Sequence, residues 1–97
     1  MIIRIVKMTF EPDKVSDFLK IFDDSKQYIR NMEGCTGLEL LKDIKSPTLF
    51  FTYSHWQSEN DLNNYRNSEL FKSVWSKTKL LFASKAEAWS VEAIIQL

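Results

Sequence analysis

The order in which the hydrophobic period changes along the chain restricts its fold more than any other feature. Residues 2–10 set Ile2, Ile3, Ile5, Val6, Met8 and Phe10 around Arg4, Lys7 and Thr9, a β-branched, loosely alternating run that reads as a strand. Pro12 and Asp13 suit the first turn of a helix beginning near residue 12. Val15, Phe18, Leu19, Phe22, Ile29 and Met32 then share one helical face, with Gly34 as the predicted stop. Residues 35–44 return to strand character, with Leu38 and Leu40 on the face opposite Glu39 and Leu41. Leu49–Trp56 follows across the Ser46-Pro47 turn signal, so the two runs form a hairpin. Ser58, with Asp61 three residues on, opens a short helix to about Tyr65. Leu70, Phe71, Val74, Trp75, Leu81 and Phe82 continue at helical spacing behind a Ser68 cap. Ala86 to Ile95 closes the chain as a strand through Trp89, Val91, Ala93 and Ile95.

The order β-α-β-β-α-β predicts an α+β, ferredoxin-like fold, a four-stranded antiparallel sheet with both helices on one face. No linker or low-complexity tract divides the chain, so residues 1–97 are expected to form a single domain. Strand three is apolar on both faces, with Phe50 and Trp56 on one and Leu49, Phe51 and Tyr53 on the other. Helices cover only one of these. A folded chain of this size exposes about 5,800 Å² and buries about two-thirds of its unfolded surface, a marginal amount for one core. A second copy packing on the open face would supply the remainder, which predicts a homodimer.

Thirteen Lys and Arg balance thirteen Asp and Glu, interspersed without a basic stripe, so no nucleic-acid or membrane partner is expected. One cysteine, Cys35, excludes an internal disulfide and any multi-cysteine metal centre. Arg4 and Lys7 interrupt the first apolar run, unlike a secretory signal, and no run approaches a membrane span. The reading is cytoplasmic.

His55 is the only side chain whose ordinary pKa lies near neutrality. Alternation places it with Tyr53 on the face opposite Trp56. It serves either as a hydrogen-bonded edge or interface histidine or as a general base or ligand contact. Trp56, Tyr65, Phe71, Trp75, Phe82 and Trp89 supply either core and interface packing or the walls of a pocket for a planar ligand. Cys35 lacks an activating neighbour and reads as a buried thiol. The scattered acids show no metal-ligand spacing, and no glycine-rich phosphate loop follows strand one. No metal and no cofactor are expected, and the low charge leads to the expectation of an apolar cavity.

The opening strand ending in Met-Thr-Phe-Glu-Pro, Gly34-Cys35, Trp56-Gln57-Ser58-Glu59-Asn60-Asp61-Leu62, Tyr65, Ser68-Glu69-Leu70-Phe71 and Trp75 together resemble the antibiotic biosynthesis monooxygenase family of the dimeric α+β barrel superfamily. The similarity covers nearly the whole chain. It implies paired sheets across a dimer, a cavity in each subunit, and oxygenation of a phenol or hydroquinone without metal or flavin. In that chemistry the deprotonated substrate itself reduces O₂, and the protein supplies a dry aromatic cavity, a proton acceptor and donors for developing oxyanions. On this resemblance Trp56, Tyr65, Phe71, Trp75 and Phe82 shape the cavity, and His55 or Tyr53 handles protons. A haem-degrading branch of the superfamily needs a histidine, a tryptophan and an asparagine at positions that fall here on Trp75, Tyr65 and about Val6, so haem degradation is not expected. The alternative function is a non-catalytic or stress-associated barrel that binds a small aromatic or apolar ligand.

Overall fold

The computed structural model describes residues 1–97. Its elements are β1 (Ile2–Thr9), α1 (Val15–Arg30), β2 (Cys35–Lys42), β3 (Leu49–Trp56), α2 (Glu59–Arg66), α3 (Glu69–Thr78) and β4 (Glu87–Val91). Short 3-10 turns precede α1 at Pro12–Lys14 and follow α3 at Lys79–Leu81. The strands form one antiparallel sheet in the order β2-β3-β1-β4, the ferredoxin-like arrangement that the periodicity predicts.

Strand alternation sorts the side chains. The registers place Arg4, Val6 and Met8 of β1 opposite Ser54, Thr52 and Phe50 of β3, and Ser90 and Ala88 of β4 opposite Arg4 and Val6. These residues face the helices. On that side Met8, Phe10, Phe18 and Phe50 form the main core, with Phe22, Leu40 and Phe82 packed around it. Phe10 and Phe18 stack at 4.1 Å, and Phe50 meets both edge-on. Burying each such ring contributes about 1.5–3 kcal/mol relative to exposure. A second cluster of Cys35, Trp56 and Leu62 ties α2 to the sheet.

Ile3, Ile5, Phe51, Tyr53, His55, Trp89 and Val91 stand on the opposite face, and no element of the chain covers them. Trp89 and Val91 are 44% and 40% exposed. The whole chain exposes 6573 Å², more than the roughly 5,800 Å² expected of a folded monomer of its size.

Three predicted boundaries move, each for a structural reason. The first helix ends at Arg30 rather than at Gly34, with Asn31 N–H donating to the Gln27 carbonyl and Met32 N–H to the Ile29 carbonyl. Gly34 instead sits in the turn Met32–Cys35, where Cys35 N–H donates to Met32 O at 3.0 Å. Its φ of 84° belongs to the third position of a turn that strongly favours glycine. The last helix stops at Thr78, short of Leu81 and Phe82, because residues 81–83 are drawn against the end of β1. Glu11 N–H donates to Leu81 O, Ala83 N–H donates to Thr9 O, and Phe82 bridges to Phe10. The final strand ends at Val91, not Ile95, since Val91 already pairs with Ile3 and β1 begins at Ile2. Ser58 and Ser68 cap α2 and α3, accepting from Asp61 N–H and Phe71 N–H, as their positions in the sequence predict.

Candidate functional site

Between the helices and the sheet lies a cavity of about 380 Å³. Its floor is the middle of the sheet, where residues Ser90, Arg4, Ser54 and Leu38 follow one another across β4, β1, β3 and β2. Small side chains at Thr52, Ser54 and Ala88 leave the room that larger ones would fill. Phe18, Phe22 and Ile29 of α1 form one wall, and Leu62, Tyr65, Phe71, Val74 and Trp75 of α2 and α3 form the other.

The second wall is held by a run of ring contacts. Trp56 stacks on Tyr65 at 5.0 Å and 20°, Tyr65 meets Phe71 edge-on at 5.3 Å, Phe71 stacks on Trp75 at 5.9 Å, and Trp75 meets Phe82 edge-on at 5.6 Å. Each ring thereby fixes the orientation of the next. Trp56, fully buried, donates from Nε1 to Ser54 Oγ at 2.9 Å. It forms the backing behind Tyr65 and does not line the cavity. Phe82 likewise buttresses Trp75 from outside the lining. Of the six aromatic residues singled out in the sequence, Tyr65, Phe71 and Trp75 therefore line the cavity, Trp56 and Phe82 support it, and Trp89 stands on the uncovered face of the sheet.

Tyr53 and His55 are elsewhere. Both lie on the uncovered face of the sheet, stacked on each other at 5.3 Å and 19°, with the His55 ring close to Gly37. The period of two puts odd-numbered residues of β3 on that face, so neither side chain reaches this chain's cavity. The expected proton-handling role for them inside it is corrected on that ground.

The cavity is largely apolar, as expected, but Arg4 and Arg66, which the expectation did not include, both line it. Arg4 Nη1 donates to Ser90 Oγ at 3.0 Å. Burial, and then the neighbouring Arg66 charge, hold its guanidinium below the ordinary value. The sequence did carry a signal for each. Arg4 shares its strand parity with Val6 and Met8, and Arg66 follows Leu62 by four residues, on the same helical face. Tyr65 is the remaining titratable group of the lining, its phenol pushed up to about 12 by burial and then by the Cys35 thiol. It is a proton donor at neutral pH, not a base. Cys35 is buried, with burial the main cause of its raised pKa, which agrees with the unreactive thiol expected. No three His, Cys, Asp or Glu side chains come together anywhere in the fold, and no helix is long and apolar enough to cross a membrane.

The fold and the site define a ferredoxin-like α+β domain with an aromatic-walled, small-molecule-sized cavity between helices and sheet. The chain belongs to the antibiotic biosynthesis monooxygenase family, whose model matches residues 1–75. Solved structures agree on the fold. One antibiotic biosynthesis monooxygenase superposes with a TM-score of 0.91 at 17% identity, covering 98% of this chain and 100% of the other. A conserved protein from Methanosarcina mazei Go1 gives 0.88 at 21% identity, covering 94% and 91%. SnoaB, a cofactor-independent oxygenase from Streptomyces nogalater, gives 0.88 at 12% identity, covering 99% and 95%. At these identities the likeness is one of fold. No curated protein matches the chain by sequence.

Proposed function

We propose that this protein is a monooxygenase that oxidises a small, electron-rich aromatic substrate, a phenol or hydroquinone, without metal or flavin. The observation that carries the reading is the cavity itself, closed on one side by Tyr65, Phe71 and Trp75 and on the other by Phe18 and Phe22. Ring faces and edges of this kind hold a planar aromatic and exclude water from it. Membership of the family and the oxygenase among its structural neighbours support the same chemistry.

The electron count needs no outside reductant. Conversion of a phenol with a free ring position to a quinone releases four electrons, which reduce one O₂. One oxygen atom enters the ring as the new carbonyl and the other leaves as water. Within the cavity the Tyr65 hydroxyl, protonated up to about pH 12, is available as a hydrogen-bond donor to oxygen that gains negative charge.

The partner in this reading is a second copy of the chain, packed through the uncovered sheet face that bears Phe51, Tyr53, His55 and Trp89. The surface exposed beyond that expected of a monomer is close to the roughly 800 Å² that each partner buries in a stable interface. His55 and Tyr53 then serve as interface residues. Light scattering at micromolar concentration is expected to give twice the chain mass, and a stable monomer would sink the pairing.

A binding protein without turnover is the second reading, favoured by one observation: no Asp, Glu, His or Lys lines the cavity to act as a base. An oxygen electrode separates the two. Uptake above the buffer rate with at least one member of a phenol and hydroquinone panel supports the oxygenase. Tight binding of the panel with no uptake supports the binding protein.

A further inference from the structure

The cavity is electrically one-sided. Arg4 enters its lining from β1 and Arg66 from the last turn of α2, and no carboxylate lines it. The chain forms three ion pairs, Lys20–Asp24, Lys26–Asp23 and Lys72–Glu69, all along helix surfaces. Neither arginine takes part in an ion pair. Arg4 has Ser90 Oγ as its side-chain partner, a neutral acceptor that uses one of the five guanidinium N–H groups. Two positive charges thus line a pocket in a chain whose formal net charge is zero.

This arrangement has a cost when nothing negative is present. The two guanidinium groups repel each other across an otherwise largely apolar surface, and Arg4 is partly desolvated. A neutral aromatic entering the cavity displaces water and makes that worse. An anion removes the repulsion and satisfies the free N–H groups, and the planar fork of arginine matches an ionised oxygen especially well.

We propose that the ligand of this cavity is a planar aromatic carrying an ionised oxygen, its ring against Phe71 and Trp75 and its oxyanion between Arg4 and Arg66. This deepens the monooxygenase reading and rests on the cavity which that reading uses. It also answers the lack of a base. The only titratable groups facing the bound oxygen are Arg4 from β1 and Tyr65 and Arg66 from α2, with none from α1, β2, β3, α3 or β4. The substrate's proton therefore goes to solvent as the substrate binds, and the arginines hold the electron-rich anion that reacts with O₂.

Calorimetric titration with three probes of similar shape tests this without turnover: 1-naphthoate, 1-naphthol and the neutral 1-naphthamide. Naphthoate is expected to bind about tenfold or more tightly than naphthamide, the preference expected of a charge-assisted contact. Arg66→Gln, an exposed position whose loss leaves the core intact, and Arg4→Gln should each remove most of that preference by weakening naphthoate, while naphthamide binds no more weakly than before. Arg4→Lys should retain part of it. Release of one proton per naphthol bound assigns a phenolate to the site, and naphthol binding with no release beside tight naphthoate binding assigns a carboxylate. Equal affinity for naphthoate and naphthamide, or a preference that survives both glutamine variants, overturns the proposal. No binding of any probe overturns the cavity reading with it, whereas a clear anion preference with no oxygen uptake removes the oxygenase reading alone.

Discussion

Trp56 separates what supports the cavity from what lines it. The ring is completely buried, packed with Cys35 and Leu62, stacked on Tyr65 and hydrogen-bonded from Nε1 to Ser54 Oγ. Trp56→Ala removes a whole aromatic side chain from a close-packed site and should cost about 3–5 kcal/mol. Trp56→Phe keeps most of the ring contact with Tyr65 but removes the donor to a buried hydroxyl, for about 1–2 kcal/mol. With a urea slope of about 1.5 kcal/mol/M for a chain of this size, the midpoints fall by about 2–3 M and about 1 M. Urea unfolding followed by circular dichroism measures this, at one protein concentration because dimerisation would make stability concentration-dependent. Since Trp56 stands behind Tyr65, Trp56→Phe should leave 1-naphthoate affinity unchanged. Trp75→Ala, which alters the lining, should weaken that affinity while costing less stability. A Trp56→Ala shift below about 0.5 M, or a Trp56→Phe protein of native stability that no longer binds naphthoate, would refute the division between support and lining.

Gly34→Ala should destabilise by at least about 1–2 kcal/mol, the cost of a side chain at a positive φ. The added Cβ would also run into the Asp61 side chain that partners Ser58 at the start of α2, and thermal melts check the loss. Tyr65 should ionise near pH 12, seen as a late step in an ultraviolet difference titration that Tyr65→Phe removes. Because its folded value is raised above the ordinary 10.0, the stability it contributes is complete below pH 10 and is lost as the pH rises from about 10 to 12. The size of that loss is about 2–3 kcal/mol. Cys35, buried and with a raised pKa, should react with a thiol reagent far more slowly in the native protein than in urea, and equal rates would contradict its placement.

The fold was legible because periodicity and capping agree along the chain. The alternation of β3 alone identified an uncovered face, and Ser58 and Ser68 marked both later helices. Boundaries were misplaced where a tertiary contact outweighed local pattern: Phe82 fits the helical spacing but bridges to Phe10, and Gly34 can end a helix yet is used in a turn. The site was half legible. Tyr65 on α2 and Phe71 and Trp75 on one face of α3 are identifiable because large aromatics on helices must pack against something. Trp56 and Phe82 show the same chemistry but lie one layer back, which depends on packing depth and leaves no trace in spacing. Arg4 interrupts an apolar run as a charge, and its parity with Val6 and Met8 places it on the helix side of the sheet. His55 stands apart by its ordinary titration range, and the same parity rule places it on the other face.

The most direct measurement is the origin of the oxygen in the product. Purified protein is incubated with a reactive phenol under ¹⁸O₂ in unlabelled water, quenched early, and the product is analysed by mass spectrometry. The account predicts one labelled oxygen atom per quinone, at a rate that falls sharply in Trp75→Ala. Product without label, or no product from any phenol or hydroquinone that binds the cavity, would contradict it.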